Sequence, residues 1–134
     1  MSLYVDTSAL LKLYLDEADS EECERLLLSD PGWITARHTE VEVRRNLARE
    51  LDGRALAGAR DQFRRDWESM AVVELDEATC RLAAEIAEVT GARSLDALHL
   101  GAARRVGGGQ IPFVTHDLRQ AQVARSLGWT VLGV

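Results

Sequence analysis

The stretch LYVDTSALLKLYLDE, residues 3–17, decides the fold, because it sets an aspartate between two different hydrophobic periods. Its first three residues are an apolar run that predicts a buried strand, and the apolar residues after Thr7 and Ser8, either of which can cap a helix, recur at helical spacing. Asp6 lies at the junction. An acid at the end of a buried strand gains nothing from burial, so its presence there indicates a functional reason.

The rest of the chain repeats this alternation of short apolar runs and helical patterns. The strand candidates are residues 2–5, 33–35, 71–75, 111–115 and 129–133. The helix candidates are residues 8–16, 20–28, 39–51, 54–69, 77–90, 94–106 and 118–127. Strands separated by helices predict a mainly parallel sheet covered on both faces. We expect a single domain over residues 1–134, a three-layer α/β/α fold around a mainly parallel five-stranded sheet.

Composition removes several classes of protein. No apolar run is long enough to span a bilayer, and the N-terminus lacks the pattern of a signal peptide, so we expect a cytoplasmic protein with no membrane partner. Cys23 and Cys80 lie far apart, each inside a helical pattern. We therefore expect buried thiols at both positions rather than a disulfide or a zinc site.

The net charge of −6 is unevenly distributed. Residues 1–30 hold eight acids against Lys12 and Arg25, whereas residues 31–68 hold eight arginines against seven acids. Because Lys12 is the only lysine, nearly all positive charge is guanidinium, which suits bidentate recognition of phosphate or carboxylate. The acidity is thus a property of the N-terminal segment, and charge alone does not name a partner.

Two acids occupy equivalent strand ends. Asp6 follows the first strand, and Asp117 follows the strand of residues 111–115 with only His116 between. In parallel sheets of α/β proteins, ligands bind beyond the carboxyl ends of the strands, near the point where the strand order reverses. Asp117 also fits an ordinary N-cap, so Asp6 is the harder of the two to explain structurally.

Two further acids lie in the first turns of helices. Asp96 follows Ser94 at the start of one helix, and Glu42 follows Thr39 at the start of another. Taken alone, the Thr39 and Glu42 pair fits a capping box, and a helix dipole favours an acid at Asp96. All four acids at one rim of the sheet are more specific than any one of them.

Convergence of four carboxylates requires a cation. Two carboxylates about 5 Å apart repel by about 3 kcal/mol at an effective dielectric constant of about 20. Oxygen ligands select a hard ion such as Mg²⁺ or Mn²⁺, which keeps several waters and leaves room for phosphate oxygens. The pattern therefore predicts metal-assisted hydrolysis of a phosphodiester.

Four segments also carry a resemblance to a known family: YVDTSALLKLYLDE, TEVEVRRNLARE, LDALHLGAA and FVTHDLRQAQVARSLGW. They resemble, in family order and over nearly the whole chain, the acidic motifs of PIN-domain ribonucleases, most closely the VapC-type toxins of prokaryotic toxin–antitoxin pairs. The resemblance implies an RNA substrate, Mg²⁺ or Mn²⁺ as cofactor, a homodimer, and silencing by a cognate VapB-type antitoxin in a heterotetramer or larger assembly. It also implies the catalytic, metal-binding acids Asp6, Glu42, Asp96 and Asp117, supported by Thr7, Ser8 and Thr115.

The sequence pattern alone does not decide whether Glu40 or Glu42 belongs to the site. Glu40 lies two residues before Glu42, and helical phase places it nearer the apolar stripe that includes Val43 and Leu47. The family motif instead matches from Glu42 onward, so we take Glu42 as the ligand. We expect His116 to face solvent in a loop, with a role as metal ligand as the alternative. We expect His99 to be a packed helix residue, although it could reach a metal-bound water.

Two surfaces follow as expectations. Arg45 and Arg49 are candidates for RNA binding, against a default of ordinary surface pairing with neighbouring acids. On the acidic first pair of helices, Leu10, Tyr14, Leu26 and Leu27 could form a groove for a basic, apolar antitoxin segment, against a default of core packing.

Rival classes fit less well. A phosphate-accepting receiver module needs a strand-end lysine and paired acids after its first strand, and a haloacid-dehalogenase-type phosphatase needs a second aspartate where Ser8 stands. The remaining alternative to a nuclease is a non-catalytic PIN-like scaffold that binds RNA or protein. The sequence leaves open the RNA, the cut site, the antitoxin and the physiological metal.

Overall fold

In the computed structural model, which describes residues 2–134, strands and helices alternate along the chain as the sequence predicts. The strands are β1 (Leu3–Val5), β2 (Trp33–Ala36), β3 (Ala71–Val73), β4 (Phe113–Val114) and β5 (Val131–Leu132). The helices are α1 (Thr7–Leu11), α2 (Ser20–Leu28), α3 (Thr39–Glu50), α4 (Gly53–Ser69), α5 (Glu77–Thr90), α6 (Ser94–Arg105) and α7 (Leu118–Ser126).

The five strands form one sheet in the order β3-β2-β1-β4-β5, and every pairing is parallel. The predicted α/β class with a five-stranded sheet is confirmed. The chain runs outward from β1 to β3 and then returns to place β4 on the other side of β1. The strand order therefore reverses between β1 and β4, which marks the ligand-binding crevice of such sheets.

Two apolar cores cover the two faces of the sheet. Leu3 and Val5 pack into one core with side chains from α1 to α4, while Tyr4 between them packs into the other, against α5 to α7. All three β1 residues are buried because successive side chains of a strand point to opposite faces. Among the described residues, no helix combines the length and the apolar composition needed to cross a bilayer.

The boundaries differ from prediction where local hydrogen bonds compete. The helix predicted over residues 8–16 is regular only over Thr7–Leu11. It continues as turns whose backbone N–H groups bond three residues back, from Lys12 to Ala9 and from Leu13 to Leu10. The strands predicted over 71–75, 111–115 and 129–133 are also two to three residues shorter than expected.

Two local predictions are wrong, and one structural alternative does not form. Asp6, rather than Thr7 or Ser8, caps α1 by accepting the backbone N–H of Ala9. The capping box at Thr39 does not form, because the cap position falls on the preceding residue and the Thr39 hydroxyl contacts another threonine instead. Cys80 is exposed, whereas Cys23 is buried as expected.

Candidate metal centre at the switch point of the sheet

Asp6 lies at the carboxyl end of β1, directly at the reversal of strand order. Its side chain is only 4% exposed, and it accepts hydrogen bonds from the Ser8 hydroxyl at 2.7 Å and the Ala9 backbone N–H at 3.1 Å. Burial raises the pKa of the Asp6 carboxyl, although nearby His99 and these hydrogen bonds act against the rise. A buried acid with a raised pKa would be stabilised in its charged form by a cation.

Ser8 and Thr115 connect the end of β1 to the end of β4. The two hydroxyl oxygens lie 3.1 Å apart, and the Thr115 oxygen accepts the backbone N–H of Asp117 at 3.1 Å. Asp117 in turn caps α7 by accepting the N–H groups of Arg119 and Gln120. The predicted supporting groups thus hold Asp6 and Asp117 on either side of the switch point.

Asp96 joins the same rim from the first turn of α6. The Gln120 side chain donates to the Asp96 backbone carbonyl at 3.0 Å, which fixes the start of α6 against the start of α7. Burial and the neighbouring Asp117 raise the pKa of the Asp96 carboxyl, while Arg93, 3.4 Å from its Oδ2, opposes the rise. Asp96 and Asp117 therefore repel each other across a partly buried space.

Glu42, and not Glu40, contacts Thr7, the residue that follows Asp6. Its Oε1 accepts the Thr7 hydroxyl at 2.6 Å and lies 3.0 Å from His99 Nε2. Burial by itself would raise the pKa of Glu42, but the contacts with His99 and Thr7 hold it below its ordinary value. Glu40 borders a separate cavity of about 260 Å³ between α3 and α4, beside Arg60.

His38 is a member of this cluster that the sequence analysis missed. Its ring packs on that of His99 with centroids 4.2 Å apart, and its Nε2 lies 3.2 Å from the Leu95 carbonyl and 3.6 Å from Glu42 Oε1. Its position four residues before Glu42 on the same helical face was the available signal. His99 itself is 3% exposed, which agrees with a packed helix residue.

Glu42 and the two histidines lie closer together than the acids of the rim do. Within residues 2–134, the one set of three metal-ligating side chains whose ligand atoms lie within 4.8 Å of one another is His38, Glu42 and His99. The other three acids are spread more widely around the rim, where Ser8, Thr115 and Gln120 connect them through hydrogen bonds. That spacing fits a hydrated hard cation, since Mg²⁺ takes one or two carboxylates and keeps several waters.

The expectation for His116 needs correction, whereas the default of core packing for the apolar residues of the first two helices is confirmed. The His116 side chain is 6% exposed rather than facing solvent, and its Nδ1 lies 3.3 Å from Asp19 without the geometry of a hydrogen bond. Leu10 and Leu27 are fully buried core residues and cannot line a groove. Tyr14 and Leu26 pack partly buried against the same core, and the Tyr14 hydroxyl donates to Asp66 at 2.7 Å.

An open cavity of about 590 Å³ lies next to the site. Its lining includes Ser8, which donates a hydrogen bond to Asp6, and His116, which precedes Asp117; the rest is lined by α1, the turn after it, and the end of α3. Its walls combine Leu11, Leu15 and Leu51 with Asp16, Glu17 and Glu50, around Lys12 and Asn46. Lys12 is already paired with Glu17 and Asp19, at 3.2 and 2.8 Å, so the cavity presents an apolar floor under a net acidic rim.

Comparisons with known proteins identify the family of the chain. Residues 3–126 match the PIN domain family. Ribonuclease VapC47 of Mycobacterium tuberculosis is 32% identical over 127 residues, which cover 95% of this chain and 93% of that protein.

Two solved structures share the fold. The structure of Mycobacterium tuberculosis VapC20, described as a sarcin–ricin loop cleaving toxin, superposes with a TM-score of 0.72 at 22% identity and covers 90% of this chain and 93% of its own. A toxin–antitoxin complex from Klebsiella pneumoniae gives 0.68 at 14% identity, with 86% of both chains covered. The chain belongs to the PIN domain family and, within it, to the VapC ribonucleases of toxin–antitoxin systems.

Proposed function

We propose that this protein is an Mg²⁺- or Mn²⁺-dependent endoribonuclease toxin whose reaction is centred on Asp6, Asp96, Asp117 and Glu42. The observation that carries the proposal is the hydrogen-bonded rim that links Asp6, Asp117 and Asp96 across the switch point, where burial raises the pKa of Asp6 and of Asp96. The set is rich in oxygen donors, which suits a hard cation that must also accept phosphate oxygens.

Each residue has a separate part in this mechanism. Asp6, Asp96 and Asp117 would hold the ion and orient its water molecules, and Ser8 and Thr115 keep the two strand-end acids in place. Glu42, which contacts Thr7, would complete the set of acids that hold the ion and would help to orient its waters. A bound divalent cation supplies a water of lowered pKa and neutralises charge on the phosphoryl oxygens.

Arg45 and Arg49 extend the site along α3. They stand three and seven residues after Glu42, so the three side chains share one helical face, about 4.5 and 10.5 Å along the axis. Both arginines are exposed, and Arg49 makes only a 3.5 Å surface contact with Glu50. We propose that they bind backbone phosphates of the RNA as it leaves the metal centre.

The acidic cavity beside Ser8 and His116 fits a basic, apolar peptide segment. We propose that a VapB-type antitoxin occupies it and blocks the metal centre from the side. The structural neighbour from Klebsiella pneumoniae, a toxin–antitoxin complex, supports a partner of this class. A homodimer, and a heterotetramer or larger assembly with antitoxin, belongs to the same proposal.

Asp96→Asn tests the proposal. Mn²⁺ or Mg²⁺ should raise the melting temperature of the wild type, because an ion that binds only the folded state stabilises it. Asp96→Asn should weaken that effect and abolish RNA cleavage, and without metal it should unfold at a temperature equal to or above that of the wild type, since one repelling charge is gone.

Two results would reject the nuclease proposal. One is equal RNA cleavage by the purified wild type in excess EDTA. The other is RNA binding with no metal-dependent turnover, which would favour the non-catalytic scaffold.

A further inference from the structure

A buried polar chain lies directly behind Glu42 and has no part in the proposed reaction itself. It runs from the Tyr4 hydroxyl to His99 Nδ1 at 2.9 Å, and from His99 Nε2 to Glu42 Oε1 at 3.0 Å. Thr7 closes it, with its hydroxyl 2.6 Å from the same Glu42 oxygen and 3.1 Å from His99 Nε2. β1, α1, α3 and α6 each contribute one residue.

The chemistry of the groups fixes which nitrogen of His99 donates. An ionised carboxylate only accepts hydrogen bonds, and Thr7 already uses its single O–H on Glu42 Oε1. His99 Nε2 must therefore carry a proton, whether the ring is neutral or charged. In the neutral ring, Nδ1 accepts from the Tyr4 hydroxyl, which keeps its proton because burial raises the pKa of Tyr4.

The two carboxylate oxygens of Glu42 have different hydrogen-bond partners. Oε1 is held by Thr7 and His99, whereas no described residue donates a hydrogen bond to Oε2. The Asn46 side chain also donates to the Glu42 backbone carbonyl at 2.8 Å, which steadies the first turns of α3. The Glu42 side chain is 24% exposed, so the carboxylate is not sealed in the core.

We propose that His99, itself held by Tyr4, is a positioning residue that fixes Glu42 so that only Oε2 faces the active-site cation and its waters. The inference rests on the proposed function. Hydrogen-bonding partners behind a ligand commonly change metal affinity by about 10–100-fold, because they set its orientation and basicity.

A transition-metal site made of His38, Glu42 and His99 is the competing explanation, because their ligand atoms come within 4.8 Å of one another. An ion among them would have to break the contacts of Thr7 and His99 with Oε1, which are already at hydrogen-bond length. If His38 Nε2 bound a metal, its buried Nδ1 would carry a proton with no partner in the described chain. The hydrogen-bonded arrangement is therefore the better account.

The test measures Mn²⁺ binding by RNA-free protein, from the electron paramagnetic resonance signal of free Mn²⁺. His99→Leu removes the donor but keeps an apolar side chain, and His99→Gln keeps an N–H near the position of Nε2. We expect His99→Leu to weaken Mn²⁺ binding by about tenfold or more, with His99→Gln recovering most of the loss and Tyr4→Phe falling between them. In cleavage assays, the Mn²⁺ concentration at half-maximal rate should rise more than the rate at saturating Mn²⁺ falls.

His38→Gln is the matched control, because it changes another buried histidine beside Glu42. The Nε2 of His38 lies 3.6 Å from Glu42 Oε1, which is outside hydrogen-bond range. Its Mn²⁺ affinity should stay within about twofold of the wild type. Melting temperatures in EDTA check that each variant folds. If His99→Leu does not fold, the Mn²⁺ affinities of Tyr4→Phe and His99→Gln, compared with that of the wild type, decide whether His99 positions Glu42.

Three outcomes would overturn the inference. Unchanged Mn²⁺ affinity in folded His99→Leu and Tyr4→Phe would remove the positioning role while leaving the proposed function intact. Tight Zn²⁺ binding that His38→Gln and His99→Gln both abolish would make the histidines ligands. No Mn²⁺ binding by the wild type would remove the proposed metal centre and this inference with it.

Discussion

Glu40 and Glu42 are two residues apart on α3 and have different surroundings. Glu42 contacts Thr7 and His99, whereas Glu40 borders the cavity next to Arg60. We predict that Glu42→Gln lowers RNA cleavage by about 100-fold or more, a usual loss for a group that acts on the reacting water, and that Glu40→Gln keeps most of the activity. Initial cleavage rates at saturating Mg²⁺ measure both.

Melting temperatures serve as the fold control for this pair. Both glutamine variants should melt close to the wild type, because an amide oxygen can still accept the Thr7 hydroxyl. If Glu40→Gln instead lost activity and Glu42→Gln kept it, the assignment of the acidic rim would be wrong at α3.

The two cysteines differ in reactivity for a physical reason. Cys23 is 1% exposed with its thiol against the Ala9 carbonyl, and burial raises its pKa to about 11, whereas Cys80 is exposed. We predict that iodoacetamide at pH 8 modifies one thiol per native chain and a second only after unfolding. Mass spectrometry should place the first label on Cys80, and rapid native labelling of Cys23 would contradict the buried position.

The same pKa shift has a defined sign for stability. The unfolded thiol, near 9.0, loses its proton before the buried one at about 11, so the Cys23 contribution to stability is complete below about pH 9 and is lost as the pH rises through 11. Cys23→Ala should therefore flatten the fall in melting temperature over that interval.

Strand ends account for which site residues the sequence could reveal. Asp6 and Asp117 could be recognised from the sequence because the hydrophobic pattern shows where each apolar strand ends. Each lies just after a strand, as the N-cap of the next helix. His38 does not stand out, because its contacts with His99 and Leu95 come from α6, more than fifty residues later. Long-range pairing of this kind leaves no local signal.

At the scale of the element, α5 and α6 make the closest helix contact that bears on the site. A Cβ added at Gly101 would lie 2.7 Å from the Ala83 backbone nitrogen and 2.9 Å from its Cα. Because α6 carries both Asp96 and His99, this close approach to α5 helps to set the position of both residues.

Gly101→Ala should therefore destabilise the protein, although alanine is the better helix former. We expect a cost of about 1–3 kcal/mol from overpacking, which exceeds the roughly 0.5–1 kcal/mol that alanine contributes in a helix. Gly58→Ala on α4 is the matched control, because an added Cβ there meets nothing within 4 Å, and it should stabilise. Urea unfolding of both variants tests the pair, and a stabilising Gly101→Ala would contradict the close contact.

Element identity was more predictable than element length. The order of strands and helices follows from hydrophobic period and turn residues, and Gly91 ends α5 in the left-handed conformation that glycine favours. The regular part of α1 ends at Leu11, where tighter turns follow and Lys12 pairs with Glu17 and Asp19. Such competition between backbone and side-chain bonds is invisible to periodicity.

At the scale of the whole molecule, charge separates two surfaces. The acidic N-terminal segment supplies the rim of the cavity beside Ser8 and His116, while exposed arginines follow Glu42 along α3. Under the proposed function, the arginines of α3 would attract the anionic substrate, although the protein as a whole is acidic. The acidic rim of the cavity would attract a basic peptide partner. The two surfaces should respond to different substitutions.

The proposed RNA surface predicts a salt dependence. The test uses the Asp96→Asn background, which should bind RNA without cleaving it. Replacing both Arg45 and Arg49 by Gln in that background should weaken RNA binding. It should also lower the magnitude of the slope of log K against log salt by about 1.4, because each phosphate contact with a single strand contributes about 0.7. Asp16→Asn with Glu17→Gln is the control, since those acids line the cavity and should spare RNA affinity while weakening a basic peptide partner. Fluorescence anisotropy at several salt concentrations measures both sets. An unchanged slope in the arginine variants would take Arg45 and Arg49 off the RNA path and leave them as ordinary surface charges, whose pairing contributes little to stability.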